Sequence, residues 1–173
     1  MQEYVKSKIR NIVDFPIKGI IFRDITTACK DAKALKYIIE YLTEQFKDKK
    51  IDYIAAVESR GFVFGSALAC NINAGMVLIR KPGKLPAEVV SQDYQLEYGT
   101  DKIEMHKDAI EKGKRVLIID DLLATGGTVE AACKLVKKVG AIPVACAFVI
   151  ELQDLKGRER IDSDIEVVSM LKY

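Results

Sequence analysis

The stretch Val116–Val129, VLIIDDLLATGGTV, runs four branched apolar residues into two adjacent aspartates, then into small residues, two glycines and a threonine. A short continuous apolar run bounded by turn residues reads as a strand buried on both faces. Ending that strand at Ile119 puts Asp120 and Asp121 at the carboxyl edge of a sheet, where ligands of open α/β sheets bind. Two neighbouring carboxylates repel unless a cation or hydrogen-bond donors, such as the hydroxyls of a sugar, lie against them. Directly after them, Ala124-Thr125-Gly126-Gly127-Thr128 offers unshielded backbone N–H groups at the start of a helix, the arrangement that holds a phosphate. Each piece has a plainer reading alone: acids that start a turn, a tight Gly-Gly connection, and Thr128 as a helix cap. In this order they describe a site for a ribose 5-phosphate. No lysine follows the glycines, so the loop is not a Walker A motif, and no strand end carries G-x-G-x-x-G.

Working outward, strand and helix periods alternate. Leu35, Ile38, Ile39, Leu42 and Phe46 recur at helical spacing between Asp31 and Lys47, with Asp31 as the expected N-cap. Short apolar runs at Tyr53–Val57, Met76–Ile79, Val116–Ile119 and Val144–Ile150 read as strands buried on both faces. Helices are predicted over residues 61–71 and 128–139, the second with Gly140 just past its end. This alternation predicts an α/β fold with a parallel sheet. The stretch Lys81–Asp101, KPGKLPAEVVSQDYQLEYGTD, resists the pattern. It is longer than an ordinary connection and reads as a lid or a protruding hairpin.

Composition bounds the function. The 173 residues suit one domain with one good core. Lys plus Arg total 27 against 25 Asp plus Glu, a net charge of +2, too balanced to argue for a nucleic-acid or membrane surface. Cys29, Cys70, Cys133 and Cys146 stand far apart among apolar or small residues, as buried thiols in a reducing cytosol would. The N-terminal residues have no apolar run suited to export or a membrane span. A cytoplasmic protein is expected.

The segment VLIIDDLLATGGT resembles the phosphoribosyl pyrophosphate signature of the type I phosphoribosyltransferases, and with Ala124 it is similar to that of their adenine-specific members. The resemblance extends through FPIKGIIFRDIT, VESRGFVFG, LIRKPGKLP, YQLEYGTD, ELQDLKGRER and the terminal VVSMLKY. Lys18 departs from it, standing where the family usually has proline. The resemblance implies a single domain over residues 1–173 with a central parallel sheet flanked by helices. It also implies a small purine-binding hood over about residues 1–30 and a flexible catalytic loop over about residues 82–101.

The resemblance also implies roles. Asp120 and Asp121 bind the ribose hydroxyls, while Ala124, Thr125, Gly126, Gly127 and Thr128 wrap the 5-phosphate. The turn Ser59-Arg60-Gly61 holds pyrophosphate, with Arg60 as its charged clamp, and Arg80, Lys81 and Lys84 add neutralising charge. Backbone groups of Ile21 and Arg23 read the purine edge, with Phe22 and Leu152 as apolar contacts. Glu97 manages the proton of the purine imidazole and Tyr98 helps close the site. His106, the sole histidine, is expected in a structural or outer pyrophosphate role. Adenine and phosphoribosyl pyrophosphate would be the substrates, AMP and pyrophosphate the products, and a homodimer the assembly. Mg²⁺ would be held mainly through phosphoribosyl pyrophosphate and water, with Asp120 and Asp121 the side chains within reach and no direct side-chain ligation required. Two other readings stay open: a xanthine or hypoxanthine phosphoribosyltransferase with the same phosphate loop, and a non-catalytic purine-sensing regulator. The latter predicts an added DNA-binding segment, for which the residues before Phe15 leave no room.

Overall fold

The computed structural model describes residues 1–95 and 99–173. The chain opens with α1 (Gln2–Lys8), the antiparallel hairpin β1 (Arg10–Val13) and β2 (Ile21–Asp24), α2 (Thr26–Lys30) and α3 (Ala32–Phe46). Asp31 caps α3 as expected: its carboxylate accepts the Ala34 N–H at 2.9 Å and also meets the Tyr4 hydroxyl and the Lys8 ammonium. Ala34, Ile38, Leu42 and Phe46 form the buried stripe of this helix, four residues apart as a helical face requires.

Then follow β3 (Tyr53–Val57), α4 (Gly61–Ile72), β4 (Gly75–Ile79), a second antiparallel hairpin of β5 (Val89–Gln95) and β6 (Thr100–His106), β7 (Arg115–Leu123), α5 (Gly127–Lys138) and β8 (Ile142–Glu151). Two 3₁₀ turns, Gln153–Leu155 and Gly157–Arg160, lead to β9 (Glu166–Lys172). The central sheet has the order β4-β3-β7-β8-β9 with every neighbouring pair parallel. Side chains alternate across it. Ile54, Ala56, Leu117 and Ile119 pack into a core with α1 to α4, whereas Ala55, Val57, Val116 and Ile118 pack with α5 and the β5–β6 hairpin.

Several expectations are corrected. The central strand does not stop at Ile119 but continues through the aspartate pair to Leu123, because Leu122 and Leu123 still pair with Ile150 and Glu151. The strand at residues 76–79 is not buried on both faces: it is the sheet's edge strand, and Leu78 is exposed. Cys70 is exposed and Cys29 half-buried, so only Cys133 and Cys146 are buried thiols. The helix expected from Thr128 begins at Gly127, with Gly126 rather than Thr128 at the cap position. Of the two readings of the stretch from residue 81 to 101, the hairpin fits the described residues: β5 and the start of β6 lie in it, and Tyr94, Ile103 and Met105 of the two strands are buried against α5 and the sheet. Among the described residues no helix is long and apolar enough to cross a membrane.

Candidate active site

The chain leaves β3 toward β4 on one side and leaves β7 toward β8 on the other, so the strand order reverses between β3 and β7. Ligands of open α/β sheets bind in the crevice beyond such a reversal. The turn Glu58-Ser59-Arg60 at the end of β3 and the segment from Asp120 to Thr128 at the end of β7 therefore face each other. The Glu58–Ser59 peptide is cis and Ser59 is exposed. Helix α4 starts hard against β7: a Cβ on Gly61 would lie 2.7 Å from the Ile119 carbonyl oxygen. That approach brings the neighbouring Arg60 to Asp121, and their side chains form an ion pair through Arg60 Nε.

The two aspartates differ. Asp121 is buried on Arg60, and its N–H donates to Asp120 Oδ1 at 2.8 Å. Asp120 lines a recess with Val57, Ile118 and the loop from Ala124 to Thr128. Burial, and after it the charge of Asp121, push the Asp120 carboxyl well above the usual carboxylate range. The acid pair thus places one carboxylate on the recess and one on the arginine, a division set by the period of two along a strand.

The loop expected to hold a phosphate runs into the start of α5. Gly126 has φ of +85°, a left-handed conformation that favours glycine. Among the described residues no side chain caps α5, which leaves its first N–H groups to an anion. The loop is packed from behind by a segment far along the chain: a Cβ on Gly126 would lie 2.3 Å from the Gly157 carbonyl oxygen.

Of the cations expected around pyrophosphate, Arg80 and Lys81, like Arg60, hold carboxylate or carbonyl oxygens. Arg80 Nε donates to Glu58 Oε2 at 3.1 Å and its Nη1 to the Lys84 carbonyl at 3.3 Å. The Lys81 N–H donates to the same Glu58 oxygen at 2.9 Å, while the Lys81 ammonium pairs with Asp101 and reaches the Tyr94 hydroxyl at 3.2 Å. The hydrogen bond from the Lys81 backbone, and then the Arg80 side chain, hold the Glu58 carboxyl below its ordinary range. Lys84 is exposed, and only its carbonyl joins this network. Glu58, Tyr94 and Asp101 organise the basic residues, yet nothing in their spacing announced that role. Glu58 and Asp101 are visible in the sequence only as members of VESRGFVFG and YQLEYGTD.

On the N-terminal hairpin, Ile21 is exposed and Phe22 stacks edge-to-face on Phe15 with ring centroids 5.3 Å apart. The Arg23 side chain lies over the Tyr173 ring at 4.4 Å and donates to Asn11 Oδ1 at 2.6 Å. Leu152 is half-buried at the edge of the core, its N–H donating to the Leu123 carbonyl at 2.9 Å. This bond ties it to the strand that carries the phosphate loop. His106 ends β6, and its buried Nε2 has no hydrogen-bond partner among the described residues. Glu97 and Tyr98 lie outside the described residues.

A family model described as a phosphoribosyl transferase domain matches residues 26–172. An adenine phosphoribosyltransferase of Thermoanaerobacter sp. strain X514 is 52% identical over 171 residues, 99% of this chain and 98% of the relative. The crystal structure of adenine phosphoribosyltransferase from Thermoanaerobacter pseudethanolicus superposes with a TM-score of 0.96 at 51% identity, covering 100% of both chains. That of the Saccharomyces cerevisiae enzyme, complexed with an imino-altritol bisphosphate and adenine, gives 0.91 at 38% identity over 98% of each chain. With the phosphate loop, the switch point and the basic turn in the places described, the chain belongs to the phosphoribosyltransferase family, within its adenine phosphoribosyltransferase group.

Proposed function

We propose that the chain transfers the 5-phosphoribosyl group from phosphoribosyl pyrophosphate to adenine, giving AMP and pyrophosphate, as an enzyme of purine salvage. The observation that carries this reading is the cradle at the switch point: an uncapped helix N-terminus, the left-handed Gly126 and the Asp120 carboxyl on one recess. Adenine in the yeast relative's structure supports that base as the acceptor.

Transfer to a purine nitrogen, with pyrophosphate leaving C1 of the ribose, passes through an oxocarbenium-like state. In this reading the loop from Ala124 to Thr128 fixes the 5-phosphate and Asp120 receives the ribose hydroxyls. Arg60 keeps Asp121 on Nε and offers its remaining guanidinium N–H groups to pyrophosphate, while Arg80 and Lys81 exchange their carboxylate partners for its oxygens. The exchange replaces one charge-assisted pairing by another, so the cations need no costly desolvation when the leaving group arrives. Lys84 adds charge from the exposed side. Ile21 and Arg23 offer backbone groups to the purine edge, with Phe22 and Leu152 against its faces. Glu97 handles the imidazole proton and Tyr98 closes over it.

Among the described residues no group of three or more His, Cys, Asp or Glu side chains is placed to cage a metal. Asp120, the carboxylate on the recess, still fits Mg²⁺, which is usually held by one or two carboxylates with substrate phosphates and water. When bound, Mg²⁺ supplies charge neutralisation on the leaving pyrophosphate. The reading extends to a homodimer in the cytoplasm with small-molecule substrates and no nucleic-acid or membrane partner. Val13, Phe15, Ile17 and Ile20, exposed on the N-terminal segment, support a further apolar contact there.

The test is turnover of adenine, hypoxanthine, guanine and xanthine with phosphoribosyl pyrophosphate and Mg²⁺. Adenine alone should give nucleotide at an appreciable rate, whereas preference for an oxopurine would overturn the assignment. Glu97→Gln should then lower kcat by roughly 10²- to 10⁴-fold with little change in adenine KM, the range for general acid–base catalysis. Near wild-type turnover would remove Glu97 from the chemistry.

A further inference from the structure

The segment ELQDLKGRER lies against the back of the phosphate loop. A Cβ on Gly157 would sit 2.1 Å from the Ala124 carbonyl oxygen and 2.9 Å from the Gly126 nitrogen. The converse contact, from Gly126 to the Gly157 carbonyl, is equally close, so two backbones touch where no side chain can stand. What holds Gly157 there is the next residue. Arg158 forks onto Glu151, with Nε at 3.0 Å and Nη2 at 2.6 Å from the two carboxylate oxygens, and its Nη1 donates to the Val167 carbonyl at 2.9 Å. Glu151 is buried at the end of β8 and Val167 belongs to β9, so the guanidinium is fixed to two sheet strands. A planar fork engaged on three sides has little freedom to drift.

We infer that Gly157 and Arg158 are positioning residues for the 5-phosphate: the Glu151–Arg158 pair anchors Gly157, and Gly157 sets the curvature of Ala124–Gly127. A phosphate cradle made of backbone N–H groups has no side chains to compensate for displacement, and hydrogen bonds weaken steeply with angle. Its geometry therefore depends on what stands behind it. The same segment carries Leu152, so one strut serves the sugar-phosphate end and the base end of the site.

This inference rests on the reading of the loop as a 5-phosphate site, and binding measurements separate the two. Ribose 5-phosphate and pyrophosphate are titrated in turn, the latter with Mg²⁺, into the wild-type protein, Gly157→Ala and Arg158→Lys. If the wild-type protein fails to bind ribose 5-phosphate, the site reading itself falls. If it binds, Gly157→Ala should weaken ribose 5-phosphate by about tenfold or more while pyrophosphate changes by less than about twofold. Arg158→Lys keeps the charge on Glu151 but loses the fork, and should show the same selective loss at about threefold, whether or not the alanine variant folds. Equal losses for both ligands, or none for ribose 5-phosphate in Arg158→Lys, would overturn the positioning role.

Discussion

The Asp120 carboxyl is pushed above the usual carboxylate range because the fold buries it and sets Asp121 beside it. A raised folded-state pKa means that the native chain binds more protons than the unfolded chain, so stability falls as pH rises through that window. Asp120→Asn should therefore raise the thermal midpoint at pH 7, with the gain shrinking as the pH falls toward about 4, where the unfolded carboxyl also protonates. The same variant should bind ribose 5-phosphate less well, since an amide presents one acceptor oxygen where the carboxylate presents two. Calorimetry across pH beside a ligand titration measures both; a lower midpoint at pH 7 would contradict the argument. Asp121 sits differently. With Arg60 as its ion-pair partner it has a structural role beyond any ligand, which the adjacency of the two residues in sequence conceals. Gly126→Val, likewise, would test more than phosphate contact, because its side chain would enter the Gly157 backbone.

Among the elements, those with a strong period were legible. Helix α3 was readable from its stripe and cap, β3 from its apolar run with the observed bounds, and α4 and α5 to within a residue at each end. The N-terminal hairpin and β9 were not singled out, and the β5–β6 hairpin was legible only as one of two readings of its stretch. In β5, VVSQDYQ, Tyr94 is the one buried residue, and what buries it is α5, more than thirty residues further along the chain. A strand whose buried face is supplied by a distant helix carries little alternation of its own. The cap of α3 yields a prediction at this scale. Asp31→Ala removes the acceptor for the Ala34 N–H and the partner of Tyr4 and Lys8. It should cost about 1 kcal/mol, or about 2–4 °C in the midpoint of a chain of this length. Catalytic constants should stay as they are, since α3 packs far from the recess; a changed KM for either substrate would show that α3 shapes the site.

At the scale of the whole molecule, stability should be lost in acid, and one group marks where. Asp24 is held at about 2 by the Thr26 hydroxyl, then by Arg10 and the Thr26 backbone, which together join the β1–β2 hairpin to α2. A depressed folded-state pKa contributes stability that is present above the unfolded value of 3.8 and is lost as the pH falls through about 2. Acid titration followed by circular dichroism should show stability declining below about pH 4, and Asp24→Asn should be less stable than wild type at pH 7 but converge with it near pH 2. A constant gap between the two down to pH 2 would show that the carboxylate's charge is not what stabilises the hairpin.

The sequence by itself determined the chemistry of the loop: an acid pair, two glycines and a helix start that together suit a sugar phosphate, on a chain whose alternating periods specify a parallel α/β sheet. These are local properties, written in neighbouring residues. The tertiary structure decided which parts meet. Strand order is one such decision, because backbone hydrogen bonds between parallel strands are the same for any pair, so the pattern of each strand states which faces are buried but not which strand lies beside it. Only the order β4-β3-β7-β8-β9 brings Arg60 to Asp121 and opens the crevice at the reversal. The support behind the loop is another: Gly157 meets Ala124 and Gly126 across thirty or more intervening residues, a contact between two backbones that no side-chain pattern can encode.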